Sequence, residues 1–173
     1  MQTNGTPYAL AYGDLDFFKT LNDTHGHEAG DQALRLFSRV MRDAVRPNDL
    51  VSRYGGEEIV IVLPDCGTAA ATVVLERVRE RLAIALVSGR VPPFTVSFGV
   101  STSTDGNTFN EVVVAADHAL LAAKGAGRDR ILLAADAAST VTDLSSYEAR
   151  ILSRRYEAGF RKLLASSTNV RTP

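Results

Sequence analysis

The sequence predicts an α+β domain, a mostly antiparallel sheet with helices packed against it. Three observations point there. Two glycines between β-branched runs mark a β-hairpin. Strand and helix patterns mix without strict β-α-β alternation. Long stretches carry apolar residues at helical spacing. A length of 173 residues suggests one domain with a real core.

The first strand is expected over Tyr8–Asp14, an apolar run that ends in acids. A short helix follows over about 17–24, then a longer one over 28–45. In the longer helix Leu34, Phe37, Met41 and Ala44 recur on one face. Arg46-Pro47-Asn48-Asp49 ends it, because proline breaks helices and aspartate favours turns. The hairpin strands are Leu50–Arg53 and Ile59–Leu63. Pro64–Thr68 turns into a helix over 69–86, with Val74, Val78, Leu82 and Ala85 on one stripe. After Pro92-Pro93, residues 94–101 alternate apolar and small polar side chains, the pattern of a half-buried strand. A helix over 110–123 and a strand over 130–133 complete the set.

Residues 1–134 are expected to form the main domain and 135–173 a linker and a C-terminal amphipathic helix. Ala134–Thr140 is small and polar, as linkers are. Ser145-Ser146-Tyr147-Glu148 reads as a capping box. Leu152, Tyr156, Phe160 and Leu164 follow at four-residue spacing among basic residues. Such a helix docks on its own domain, pairs with a second chain or begins a linker.

A net charge of −1 argues against a general binder of nucleic acid polymers. The single cysteine, Cys66, cannot form an internal disulfide, which suits a reducing cytoplasm. No apolar stretch is long enough to span a bilayer, and the polar first residues lack a signal-peptide core, so neither membrane contact nor export is expected.

The chemistry concentrates in two places. Arg53-Tyr54-Gly55-Gly56-Glu57-Glu58 puts two acids beside a turn where the backbone can approach a bulky ligand, because glycine has no Cβ. Oxygen ligands of this kind, with phosphates, suit Mg²⁺. At the end of the first strand, Asp14, Asp16, Lys19, Asn22, His25, His27, Glu28 and Asp31 follow closely. A cluster this polar is poor core material. Lys19 would neutralise phosphate charge. Asp16 reads equally as a helix N-cap or a ligand. His25, His27 and Glu28 lack a fourth partner for zinc. Lys124-Gly125-Ala126-Gly127 has no strand-turn-helix context for a dinucleotide fingerprint, and no Walker A loop is present.

Five ordered blocks, Asp14–Lys19, Asn22–His27, Gly30-Asp31, Arg53–Glu58 and Lys124–Arg130, together resemble the GGDEF family of diguanylate cyclases, over about 8–133. The resemblance implies the palm-like fold shared with class III nucleotidyl cyclases, built on a ferredoxin-like β-α-α-β-β-α-β core. It implies that two GTP molecules are joined into cyclic di-GMP with release of pyrophosphate. The cofactor would be Mg²⁺, with Mn²⁺ as an alternative. One domain holds one GTP, so a catalytic homodimer is implied.

By the same resemblance Asp14, Glu57 and the backbone carbonyl of Leu15 are metal ligands, joined by Glu58. Glu57 is the candidate general base, with direct metal activation of the hydroxyl as the other route. Asn22 and Asp31 read the guanine edge, and His27 lies beside the ligand. Lys19, Lys124 and Arg128 meet the phosphates. Phe17, Phe18 and Leu34 wall the pocket, and Gly55 and Gly56 leave room along it. Arg46 and Asp49 match an RxxD motif that binds the product and inhibits, with Arg77 as its second arginine.

The chain departs from the family at Ile59, usually phenylalanine, and at Leu121, often tyrosine. It also starts too late to contain the family's usual upstream helix and D-x-L-T-G-L-x-N-R segment, so part of the guanine pocket and its packing is expected to be missing. The competing readings are a non-catalytic receptor for GTP or cyclic di-GMP and another nucleotidyl cyclase on the same fold.

Overall fold

A computed structural model describes residues 7–137. The expected C-terminal helix lies outside the described residues. The chain order is β1 (Tyr8–Leu15), α1 (Phe18–His25), α2 (His27–Ala44), β2 (Leu50–Gly55), β3 (Glu58–Pro64), α3 (Thr68–Leu86), β4 (Val96–Thr102), α4 (Phe109–Gly125), β5 (Ile131–Leu133) and α5 (Ala134–Ala137). Among the described residues every expected element is present within a few residues of its expected ends.

The strands form one sheet in the order β2-β3-β1-β4-β5. Only the β4–β5 pair is parallel; the others run antiparallel. β1 is central, and this follows from its composition. Apart from Asp14 it consists of small, apolar and aromatic residues, buried from Ala9 onward, so both faces can be covered. Ala9, Ala11 and Leu15 join a core with Ile59, Ile61 and Leu63 of β3 and with Phe37, Met41, Leu75 and Val78 of α2 and α3. The opposite face takes α4, which packs on β4 and β1.

Two helix ends are closed by side chains. Thr108 and Glu111 form a reciprocal capping box at the start of α4. At the far end of α2, arginines from α3 serve as caps. Arg77 Nη2 donates to the Ala44 carbonyl and Arg81 Nη1 to the Asp43 carbonyl. These carbonyls have no partner inside the helix, and cations are favoured at a helix C-terminus.

The described residues end on a helical turn, Ala134–Ala137, with Ala137 buried. Alanine has the strongest helix propensity, and its small side chain fits closely against α4.

The closest approach in the sheet occurs at Gly99, where α4 crosses β4. A Cβ there would run into the Ala116 carbonyl and the Leu120 amide, both backbone atoms that cannot swing aside. Gly99→Ala should therefore cost about 1–3 kcal/mol of stability. Urea unfolding should show a lower midpoint at an unchanged slope.

Candidate active site

The site grows from the end of β1. Asp14 is the last acid of the central strand and is only 6% exposed. Across the antiparallel β1–β3 ladder it faces Glu58 directly. Burial pushes the Asp14 carboxyl above its usual range; Lys124 pulls it down, and Glu57 and Asp16 push it further up. The carboxylates of the opening strand and of the diglycine hairpin are thus close enough to feel one another. Lys124, at the end of α4, sits with Nζ 2.9 Å from Asp14 Oδ1.

The hairpin explains its own glycines. Gly55 pairs with Glu58, after a register shift that begins at Arg53. Neither Gly55 nor Gly56 has a positive φ. A Cβ on Gly56 would meet nothing within 4 Å, and one on Gly55 would meet only Glu58 Oε2, at 3.0 Å. Backbone geometry therefore does not demand these glycines, and neither does internal packing. What they provide is open space in front of the turn. Arg53 Nε pins that turn by donating to the Gly56 carbonyl at 2.7 Å.

The third wall is the α1–α2 corner. Gly26, with φ 85°, lets the chain reverse between the two helices. Gly30, on the first turns of α2, then lies so close to α1 that a Cβ would run into Asn22 Oδ1. That oxygen is buried and has no hydrogen-bond partner among the described residues. An unfilled buried acceptor is costly, and a ligand N–H would satisfy it. Asp31 and Leu34 follow on α2. They line a cleft of about 610 Å³ with Arg35, Arg39, Arg42 and Arg53. Phe18 packs against the core, while Lys19 and His27 are exposed.

A fourth contribution comes from the turn after α4. Arg128 places its guanidinium 4.4 Å from the centre of the Phe17 ring, which is itself 62% exposed. Asp16 behaves differently from either expectation. Phe17 occupies the N-cap position of α1, with no side-chain cap. The Asp16 carboxylate is buried and accepts from Thr95 Oγ1, Ser97 Oγ and the Asp129 N–H. A turn residue satisfied from the β4 side and by a distant turn leaves no local spacing by which to find it. The Arg79–Asp129 ion pair at 2.8 Å escaped sequence reasoning for the same reason.

The RxxD residues gather at the end of α2. Asp49 accepts the Arg46 N–H at 2.6 Å and donates its own N–H to the Arg46 carbonyl at 3.0 Å, closing a turn. Arg77, bonded to Ala44, lies beside that turn. Cys66 is close enough to feel both charges, but burial dominates and pushes its thiol up.

Among the described residues no three His, Cys, Asp or Glu side chains form a ready-made cation cage. Mg²⁺ does not need one. It commonly takes one or two carboxylates and completes its shell with water and substrate phosphates. Two facing strand ends with mutually repelling carboxylates fit that habit.

The site thus joins a mixed sheet, facing acids at the β1–β3 end and a glycine-opened turn beside them. The family model "Diguanylate cyclase, GGDEF domain" matches residues 1–130, and the chain belongs to that family. It is 38% identical over 133 residues to the response regulator PleD of Caulobacter vibrioides, covering 74% of this chain and 29% of PleD. It is 39% identical over 127 residues to the diguanylate cyclase DgcM of Escherichia coli, covering 73% of this chain and 31% of DgcM. The chain thus spans under a third of the length of these relatives. Among solved structures, the GGDEF domain of DgcB from Caulobacter crescentus, in complex with c-di-GMP, superposes with a TM-score of 0.69 at 33% identity, over 78% of this chain and 81% of that one. The active GGEEF domain of a Vibrio cholerae diguanylate cyclase gives 0.68 at 28% identity, over 74% and 83%.

The raised Asp14 pKa carries a stability consequence. A carboxyl whose folded pKa exceeds its unfolded value stabilises the fold fully below the ordinary carboxylate range. That contribution is lost as pH rises through the raised value. Ionised Asp14 is therefore a net cost to the metal-free protein at neutral pH. Asp14→Asn should melt above the parent at pH 7 in chelator, with the gap closing as the buffer is taken below the carboxylate range. A variant that melts lower at pH 7 would contradict this reading of the carboxyl.

Proposed function

We propose that this chain is the catalytic domain of a diguanylate cyclase, condensing two GTP into cyclic di-GMP at the interface of two copies. The observation that carries the reading is the facing of Asp14 and Glu58 across β1 and β3, beside a turn whose glycines leave space that nothing in the fold requires.

Each of the two bonds forms when the 3′-oxygen of one GTP attacks the α-phosphorus of the other. The hydroxyl loses its proton, and the bond to the β-phosphate breaks to release pyrophosphate. Two such steps close the ring. Asp14, the Leu15 carbonyl, Glu57 and Glu58 would hold Mg²⁺, or Mn²⁺ in its place, which supplies Lewis-acid polarisation and neutralises phosphate charge. Glu57 would take the hydroxyl proton, with direct activation of the hydroxyl by the metal as the other route. Lys19, Lys124 and Arg128 balance the triphosphate charge, the kind of positioned electrostatics on which phosphoryl transfer depends. The unpartnered Asn22 Oδ1 accepts from a guanine N–H, and Asp31 takes the neighbouring donors of the same edge. Adenine presents no such pair of donors, so the corner selects GTP over ATP. Leu34 and Phe18 supply the apolar walls, and His27 borders them. Each domain holds one nucleotide, so the two reacting centres meet only when two copies face each other.

Arg46, Asp49 and Arg77 form a second site, for the product. Arginine fits phosphate and the guanine edge bidentately, and the turn that closes on Asp49 presents Arg46 to solvent.

Incubation of the purified protein with GTP and Mg²⁺ should yield cyclic di-GMP by chromatography. Asp14→Asn and Glu57→Gln should each lower turnover about 100-fold or more, the scale of removing one group aimed at developing charge. Gly56→Ala should lower turnover while leaving stability within about 0.5 kcal/mol, because only the ligand uses that space. GTP binding without product, even with two copies fused to a dimerising module, would leave a receptor and reject the enzyme.

Added cyclic di-GMP should inhibit turnover, and Arg46→Ala should relieve the inhibition with little change in the uninhibited rate. Inhibition that persists unchanged in Arg46→Ala would remove this turn as the product site.

A further inference from the structure

We propose that Asp16 is a positioning residue that, together with Arg79, holds the turn after α4 so that Arg128 faces the phosphate end of the site. The proposal rests on the nucleotide reading above, because it needs Arg128 to meet a phosphate.

The turn is strained. Gly127, Arg128 and Asp129 have φ of 113°, 64° and 45°, three left-handed residues in succession. Two of them carry side chains, and such conformations persist only where their surroundings over-determine them. The surroundings here do so from two sides. From the floor of the site, Asp16 Oδ2 accepts the Asp129 N–H at 3.0 Å, while Thr95 and Ser97 of the β4 side fix the same carboxylate at 2.7 Å each. From α3, Arg79 Nη2 donates to the Asp129 carbonyl at 2.6 Å and to Asp129 Oδ1 at 2.8 Å. Glu76 orients Arg79 at 2.6 Å. The Asp129 peptide is therefore gripped at its N–H and at its carbonyl.

What the grip produces is the direction of the preceding residue. Arg128 stacks on Phe17, and Phe17 follows Asp16 in the chain, itself left-handed at φ 55°. Asp16 thus sits between the two backbone kinks whose side chains form the stack. It reaches one through the covalent chain and the other through a hydrogen bond. Neither Asp16 nor Arg79 has to touch the nucleotide.

A double-mutant cycle on GTP affinity, measured by calorimetry on the full chain, tests this. Arg128→Ala, Arg79→Ala and Asp16→Ala should each weaken binding about tenfold, what one charged hydrogen bond is worth. Arg79→Ala combined with Arg128→Ala should bind no more weakly than Arg128→Ala alone, since the clamp acts only through that side chain. Asp16→Asn, which keeps an acceptor oxygen, should recover most of the affinity that Asp16→Ala loses. Should Asp16→Ala fail to fold, the Arg79 cycle, which leaves the buried floor intact, decides the matter. Additive losses in that cycle, with normal GTP binding by the unaltered chain, overturn the positioning role alone. Absence of GTP binding by the unaltered chain overturns the nucleotide reading beneath it, and this proposal with it.

Discussion

A carboxylate buried at the end of a central strand is expensive, and most of the site's architecture can be traced to that expense. Asp14 lies at the end of β1, covered by a core that β1 needs on both faces. Burial raises its pKa, and the nearby Glu57 and Asp16 raise it more. Lys124 at the end of α4 offsets part of the cost. A fold optimised for stability alone would place an apolar residue here. Keeping the acid leaves a concentrated negative corner that a divalent cation and its phosphates can occupy.

The glycines divide into two kinds, and the division separates architecture from function. At Gly13, Gly30 and Gly99 an added Cβ would meet a ring, an amide oxygen or another helix's backbone. These glycines are absent side chains that let layers approach. At Gly55 and Gly56 almost nothing stands in the way, and φ is not positive. The missing side chains there leave open space at the turn that leads into Glu58, opposite Asp14. Sequence alone cannot draw this distinction, because a diglycine in a hairpin reads first as turn chemistry.

Local patterns made most of the fold legible. The apolar stripe of α2, the Pro47 break, the hairpin and the existence of β4 each announce themselves within a dozen residues, although β4 is buried on both faces and not half-buried as its alternation suggested, because its small polar Ser97 and Ser101 lie inside as well. Leu34 was readable as buried whatever else it does, and Ile59 fills its place in the core. Asp16 was misread because its partners come from Thr95, Ser97 and Asp129, far along the chain. No periodicity encodes an acceptor shared between a strand and a turn more than a hundred residues away. At Ala134–Ala137 the sequence left the local structure open for a different reason. A run of small residues suits a linker and a tight helical turn equally, and only the surface of α4 selects between them.

By itself the sequence determined which residues form strands and helices, since backbone propensity and apolar periodicity act over short distances. It also determined which residues carry chemistry, since acids, amides and cations gathered at strand ends are unsuited to a core. Tertiary structure decided which of them meet. The antiparallel register sets Asp14 opposite Glu58. Helix packing leaves Asn22 Oδ1 buried without a partner. A clamp from α3 and the floor of the sheet turns Arg128 onto Phe17. These outcomes depend on how layers stack and on where desolvated charge finds compensation, which are properties of the whole fold and of no single stretch of chain.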